Sequence, residues 1–191
     1  MIEYIIHLDQ SLFLWIQAHC HTQFLDKIMP WLREKSNWYP LYLLIVSVLI
    51  YKFRWTGFRM TLVAIICFGL SELLSSHTAK PLFKRLRPCA DPEISIQFAP
   101  LVDCTNKGFS FTSSHAANHF AVAIALSLFF FRNKKWFFAI GILWAGSISL
   151  AQVYVGVHYP LDIAAGACIG ISISTLVHSI INRYFAKYFI R

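Results

Sequence analysis

A histidine and an aspartate lie four residues apart in the segment AQVYVGVHYPLD, residues 151–162. Gly156 and Pro160 indicate a turn followed by the start of a helix, because proline is favoured at the first helical position. Asp162 then lies in the first helical turn, where a carboxylate is electrostatically favoured. A turn brings this carboxylate against one imidazole nitrogen of His158, which fixes the tautomer and stabilises the imidazolium. The pair therefore has the composition of an activated nucleophile or base.

A second segment, FSFTSSHAANHF at residues 109–120, carries two more histidines. Thr112, Ser113 and Ser114 are favourable helix N-cap residues, so the pattern places His115 in the first turn of a helix. The free backbone N–H groups and the dipole at such a helix start bind anions. This segment thus predicts an anion site beside a second candidate catalytic histidine.

A third segment, KPLFKRLRP at residues 80–88, concentrates positive charge. Its cations are Lys80, Lys84, Arg85 and Arg87. The point charge of lysine and the planar fork of arginine both suit phosphate oxygens. Together the three segments predict a phosphate-binding pocket with two histidines that are candidates for proton or phosphoryl transfer.

A metal site is an alternative use of the histidines. His115 and His119 are four residues apart, so one helical face presents both imidazoles. His158 or Asp162 would supply the third ligand that zinc requires. Because the cations of residues 80–88 repel a metal ion unless a bound phosphate offsets them, we predict no metal and no cofactor. A metal-dependent membrane hydrolase stays open as a second hypothesis.

The elements that must hold these segments are membrane helices. Hydrophobic residues make up 57% of the 191 residues, against about 45–50% in soluble domains. Apolar runs close to the length of a membrane span occur at residues 38–51, 60–76, 113–131, 136–155 and 160–182. We predict an all-α fold, a multi-pass transmembrane helix bundle of about five spans in one domain, residues 1–191. The polar-interrupted stretch 1–20 predicts an amphipathic segment that lies at the membrane interface or packs on the bundle.

The net charge of +8 is explained by membrane topology. Three basic clusters follow the first, third and fifth predicted spans: Lys52, Arg54 and Arg59; Arg132, Lys134 and Lys135; and Arg183, Lys187 and Arg191. If the spans alternate, the clusters share one face, which the positive-inside rule makes cytoplasmic. We therefore expect no nucleic-acid partner, and the three polar segments fall on the extracytoplasmic face. An oxidising compartment there permits a disulfide between Cys89 and Cys104.

The three segments, in this order, resemble the type-2 phosphatidic acid phosphatase superfamily over about residues 57–175. The family pattern is a lysine, six residues and Arg-Pro; then Pro-Ser-Gly-His; then Ser-Arg, five residues, a histidine, three residues and an aspartate. The matching residues are Lys80, Arg87 and Pro88, then Ser113 and His115, then His158 and Asp162. The chain departs from the pattern at Thr112 and Ser114, and again at Ala151 and Gln152, which stand in place of Ser-Arg.

The resemblance implies a two-step displacement that needs no metal. His158 is expected to attack phosphorus and form a phosphohistidine, while Asp162 orients its ring. His115 is expected to protonate the leaving group and then to activate water. The phosphate-binding residues implied by the family are Lys80, Arg87, Ser113, Ser114 and Gln152. Gln152 donates hydrogen bonds but brings no charge; the candidates to replace that charge are Lys84, Arg85 and Lys107.

The resemblance also implies a lipid phosphatase of a bacterial cytoplasmic (inner) membrane, with its active site on the extracytoplasmic face. The tail of its substrate would stay in the lipid bilayer while the phosphate reaches the outer interface. Undecaprenyl pyrophosphate is the leading expected substrate, with lipid A and phosphatidylglycerophosphate as alternatives. Because Gln152 removes a cation from the family pattern, a catalytically silent lipid-binding membrane protein stays open as a third hypothesis.

Overall fold

The structure is a computed structural model, and it describes residues 1–104, 108–130 and 134–185. Its α-helices are α1 (Ile2–His19), α2 (Gln23–Arg33), α3 (Tyr39–Glu72), α4 (Lys80–Phe83), α5 (Ser114–Phe130), α6 (Lys135–Tyr154) and α7 (Pro160–Tyr184). A π-helical segment, Leu73–Ala79, joins α3 to α4, and short 3₁₀ turns cover Lys35–Trp38, Pro88–Ala90 and Ser95–Gln97. The described residues contain no β-strand. The all-α prediction is confirmed.

Helix α3 is a hairpin of two helical arms, residues 39–53 and 55–72. Arg54 breaks the helix with φ 55° and ψ −128°. The arms then pack so closely that a Cβ atom on Gly57 would overlap the carbonyl group of Leu49. Because only glycine lacks that atom, Gly57 allows the chain to turn back directly after the break.

The transmembrane prediction agrees with the helix lengths. Three stretches are long and apolar enough to cross a membrane, Lys35–Gln97, Lys135–Tyr154 and Pro160–Tyr184, and a shorter apolar helix covers Ser114–Phe129. The first stretch contains both arms of α3, so each of the five predicted apolar runs coincides with a helical segment. The fold is a multi-pass transmembrane helix bundle.

Helix α5 lies at the centre of the bundle and packs against α3, α6 and α7. Helices α5 and α7 lie so close together that a Cβ atom on Gly166 or Gly170 would overlap the backbone of Ser113 or Ala117. Small residues such as these glycines let membrane helices approach closely. The backbone N–H of Ser113 also donates to the carbonyl oxygen of Asp162 at 3.0 Å. This packing places the starts of α5 and α7 side by side.

Helix α1 packs on the bundle along one stripe. Asp9 and Phe13 are buried, and the Phe13 ring contacts Tyr159 and Phe98. The Gln17 amide donates to backbone carbonyls at the end of α6. The N-terminal stretch is thus the amphipathic segment that the sequence predicts, packed on the bundle beside the predicted catalytic turn.

The basic clusters and the predicted site lie at opposite ends of the helices. Arg54 lies at the turn of the α3 hairpin, Lys135 begins α6, and Arg183 is in the last turn of α7. Arg132, Lys187 and Arg191, which were assigned to the same clusters, lie outside the described residues. At the other end, a disulfide joins Cys89 to Cys104, as the sequence permits.

Candidate active site

A cavity of about 830 Å³ opens at the end of the bundle where α5 and α7 begin. Its polar lining residues are Arg33, Lys35, Glu72, Ser76, Lys80, Arg87, Ser114, His115, Asn118, His119, Gln152 and His158. Deeper along α3 and α5, the lining is mostly apolar and includes Ile45, Val46, Leu49, Ala64, Ile65, Phe68, Val122 and Leu126. The cavity therefore joins a strongly basic polar end to an apolar groove between membrane helices.

His158 and Asp162 are paired, as their spacing predicts. His158 Nδ1 lies 3.3 Å from Asp162 Oδ2, and the same oxygen accepts a hydrogen bond from the Tyr159 backbone N–H at 2.9 Å. Pro160 begins α7 and places Asp162 in its first turn, where the helix dipole favours the carboxylate. With Nδ1 donating to the carboxylate, Nε2 of His158 keeps its lone pair on the cavity side.

The His158 ring is only 1% exposed. Burial lowers its pKa to about 4, and the positive charges of Arg87 and Lys80 act in the same direction, against the hydrogen bond and charge of Asp162. The ring is consequently neutral at physiological pH. A neutral imidazole held by a carboxylate is the form that acts as a nucleophile.

Asp162 is held from the other side by Arg85. Arg85 Nη1 donates to Asp162 Oδ1 at 3.0 Å, and Arg85 Nη2 pairs with Asp9 Oδ2 at 2.7 Å. Its guanidinium lies over the Tyr159 ring, 3.8 Å from the centroid. Asp9 in turn accepts from the Leu161 backbone N–H at 2.8 Å. Arg85, one of the three candidates to replace the missing charge, therefore pairs with two carboxylates and does not line the cavity.

His115 lies in the first turn of α5, where the N-cap pattern places it, and it lines the cavity with His158. His119, one turn later, has its Nδ1 2.8 Å from the His115 carbonyl oxygen and packs edge-on against Trp144. Within the described ranges, no group of three His, Cys, Asp or Glu residues is arranged to hold a metal ion.

The predicted phosphate-binding residues divide into two groups. Lys80, Arg87 and Ser114 line the cavity; Arg87 is 7% exposed and its Nε donates to the Gly108 carbonyl oxygen at 3.3 Å. Ser114 Oγ shares a hydrogen bond of 2.7 Å with Ser76 Oγ. Ser113 instead caps α5, because its Oγ accepts from the Ala116 N–H. Ser113 does not line the cavity, and its part in phosphate binding stays a prediction.

Gln152 lines the cavity and is bonded to a cation that the sequence did not single out. Arg33 Nε, in the last turn of α2, donates to Gln152 Oε1 at 3.3 Å. Of the other candidates to replace the charge, Lys84 is exposed and outside the cavity lining. Lys107 lies outside the described residues. One signal was available for Arg33, since it precedes the first span on the side predicted to be extracytoplasmic, where basic residues are not expected to concentrate.

Comparison with known proteins matches this chain to one family. A model of the PAP2 superfamily matches residues 57–186. The lipid A 4'-phosphatase of Bacteroides thetaiotaomicron is 37% identical over 175 residues, 89% of this chain and 75% of that protein. That of Porphyromonas gingivalis is 26% identical over 94% of this chain and 75% of the relative. The undecaprenyl-diphosphatase of Sulfolobus acidocaldarius is 32% identical over 69% of this chain and 59% of that protein.

A solved structure shares the architecture. The crystal structure of a transmembrane PAP2-type phosphatidylglycerolphosphate phosphatase from Bacillus subtilis superposes with a TM-score of 0.73 at 25% identity. The match covers 95% of this chain and 88% of the solved one. The N-terminal helices, which the family model leaves out, are therefore inside the structural match.

Proposed function

Because the chain belongs to the PAP2 superfamily, we propose that it removes a phosphate group from lipid A or a closely similar lipid, at the extracytoplasmic face of a bacterial inner membrane. One observation carries the proposal: the neutral, carboxylate-held His158 faces a cavity that also contains Lys80 and Arg87. A histidine nucleophile surrounded by cations suits phosphoryl transfer, because the charge of that transition state lies on the phosphoryl oxygens.

The apolar groove supports a lipid substrate. The groove continues from the cations along α3 and α5, between residues such as Leu49, Phe68 and Leu126. An acyl chain in this groove stays in contact with apolar side chains while the phosphate reaches His158. A soluble phosphate ester gains nothing from that apolar surface.

In the first chemical step, Nε2 of His158 attacks phosphorus and the bond from phosphorus to the lipid oxygen breaks. His115 protonates the departing oxygen, and Asp162 stabilises the positive charge that develops on the His158 ring. Lys80 and Arg87, with the backbone N–H groups at the start of α5, neutralise the phosphoryl oxygens.

In the second step, His115, now neutral, accepts a proton from water as the water oxygen attacks phosphorus. The bond between phosphorus and nitrogen breaks, its electron pair returns to Nε2 of His158, and inorganic phosphate leaves. His115 thereby regains the proton that it gave to the departing oxygen, so the two steps balance and need no metal or cofactor.

The relatives favour lipid A over undecaprenyl pyrophosphate, the substrate expected first from the sequence. The lipid A 4'-phosphatases align over nearly the whole chain. The undecaprenyl-diphosphatase aligns over a smaller share of it. We accordingly propose the 4'-phosphate of lipid A as the group removed.

The test is an assay of the purified protein in detergent on three lipids: lipid A with both phosphates, undecaprenyl pyrophosphate and phosphatidylglycerophosphate. We expect lipid A to lose one phosphate, at the 4' position by mass spectrometry, faster than either other lipid is cleaved. Vanadate should abolish turnover and EDTA should leave it unchanged. His158→Ala should lower kcat by about 10³-fold or more, because it removes the nucleophile.

The matched control is His7→Ala, which removes an exposed histidine of α1 outside the cavity lining and should retain full turnover. Loss of activity in EDTA would support the metal-dependent hydrolase instead. Fastest cleavage of undecaprenyl pyrophosphate would restore the substrate expected first from the sequence. No turnover of any of the three lipids would support the silent lipid-binding protein.

A further inference from the structure

The cavity contains a buried amide at the place where the family pattern has a cation. Gln152 is 1% exposed and lines the cavity with His158. Its Oε1 accepts from Arg33 Nε at 3.3 Å. Because a guanidinium only donates hydrogen bonds, this contact fixes which way the amide points.

The other end of that amide has no partner. Gln152 Nε2 is buried, and it makes no hydrogen bond within the part of the chain that the structure describes. A buried, unsatisfied donor is unfavourable by about 1–3 kcal/mol, and native proteins rarely keep one without a reason. An anion in the cavity would accept from Nε2, because Gln152 lines the same cavity as Lys80 and Arg87.

Arg33 approaches the same anion site. Arg33 and Arg87 both line this cavity, so two guanidinium groups of like charge converge on it. Such convergence is unfavourable unless an anion lies between the groups. The terminal nitrogens of Arg33 make no hydrogen bond to the described residues, so they are available to bind an anion.

The position of Arg33 is fixed by α2. Thr22 caps this helix by accepting from the Leu25 N–H at 3.2 Å. The Tyr154 hydroxyl donates to Asp26 Oδ1 at 2.7 Å, and Tyr154 is two residues beyond Gln152 on the same chain. Both ends of α2 are therefore attached to the end of α6.

We propose that Arg33 is a phosphate-binding residue, oriented by Gln152, and that it supplies from α2 the cation that the family pattern places on α6. The ligand that we assign to Arg33 is a phosphoryl oxygen, and this identification of the ligand rests on the proposed function. Gln152 acts twice, because its Oε1 orients Arg33 and its Nε2 donates to the phosphoryl group.

The test uses orthovanadate, a phosphoryl analogue whose binding requires no lipid turnover. Its Kd is measured by titration calorimetry on the purified protein and its variants. Arg33→Gln, which keeps a long polar side chain, should raise the Kd about tenfold or more, because a charge-assisted contact is lost. Lys27→Gln is the matched control: it removes an exposed cation from the same helix and should leave the Kd unchanged.

Exchanging the residue types at positions 33 and 152 distinguishes two roles for Arg33: binding phosphate, or only attaching α2 to α6. Gln152→Arg alone should weaken vanadate binding, because it sets a second guanidinium against Arg33. Combining Arg33→Gln with Gln152→Arg restores one cation and one amide, and the Kd should return to within about threefold of the wild-type value.

Wild-type vanadate affinity in Arg33→Gln would overturn the proposal, as would a double variant that binds no better than Arg33→Gln. Arg33→Lys, which retains the charge, should keep most of the affinity; loss of binding in this variant equal to that in Arg33→Gln also contradicts the proposal. Because vanadate binding is read without substrate, failure of the lipid assay would refute the proposed function and leave this result interpretable.

Discussion

The family-matched core of the chain and the N-terminal region that precedes it serve the site in different ways. The family-matched core, residues 57–186, carries both histidines and the aspartate of the proposed reaction. Its key contact is local, because His158 and Asp162 are four residues apart across one turn. His115 enters from the start of α5, which packs against the start of α7.

The N-terminal region, residues 1–56, supplies no group to the covalent steps. It lines part of the cavity, and two of its charged side chains contact residues of the core. Asp9 pairs with Arg85, which also pairs with Asp162, and Arg33 bonds to Gln152, 119 residues away. In the proposed mechanism, the core therefore holds the reacting atoms, and the N-terminal region sets the charge and orientation around them. Changes in the core should consequently affect the rate far more than changes in the N-terminal region.

The largest effect is expected in the core, from Asp162→Asn. An amide orients the ring poorly and does not stabilise its positive charge, so kcat should fall by about 10³–10⁴-fold. The measurement is lipid A turnover at pH 7 on protein that elutes as the wild type does. A fall of less than tenfold would show that Asp162 does not assist the nucleophile.

A smaller effect is expected from Asp9→Asn in the N-terminal region. The amide oxygen still accepts from the Leu161 N–H, but Arg85 loses one of its two carboxylates. We expect kcat to fall by about three- to tenfold, with KM little changed, because removing one partner of a buried ion pair loosens the other. Glu3→Gln, an exposed acidic residue of α1, is the matched control. A loss as large as that of Asp162→Asn would contradict the division between the two regions.

The smallest change is expected when the pH is lowered. Because burial lowers the pKa of His158 to about 4, the folded protein keeps this ring neutral as the pH falls from 7 to 5. Protonation, and with it loss of the nucleophile, should occur only near pH 4. The measurement is ¹⁵N NMR of histidine-labelled protein, with the His158 signals assigned from the His158→Ala spectrum. A titration midpoint near the ordinary value of about 6.5 would contradict the burial and charge argument.

The parts of the site that are local in the chain were predicted from the sequence. Pro160 predicts the start of α7, the Thr-Ser-Ser run predicts the start of α5, and the spacing of His158 and Asp162 predicts their contact. Each of these depends on residues within one helical turn, where backbone geometry and capping decide the outcome.

The parts that depend on long-range packing were not predicted. Arg85 was expected to be a candidate phosphate cation, but it is held by Asp9, a residue 76 positions earlier. Arg33 was not singled out at all. The sequence identifies the cations of the face predicted to be extracytoplasmic, but only tertiary packing determines which of them turn toward the cavity. The break in the helix at Arg54 was not predicted either. Arg54 has a positive φ, and an arginine in the sequence does not indicate that conformation.

The most direct test of the proposed chemistry is to trap the phosphorylated protein. Lipid A labelled with ³²P at the 4'-phosphate is mixed with the protein and quenched within milliseconds under alkaline conditions, which preserve phosphohistidine. We predict an acid-labile label on the peptide containing His158 and none in His158→Ala. Rapid product release without labelled protein, or label on a residue other than His158, would contradict the mechanism.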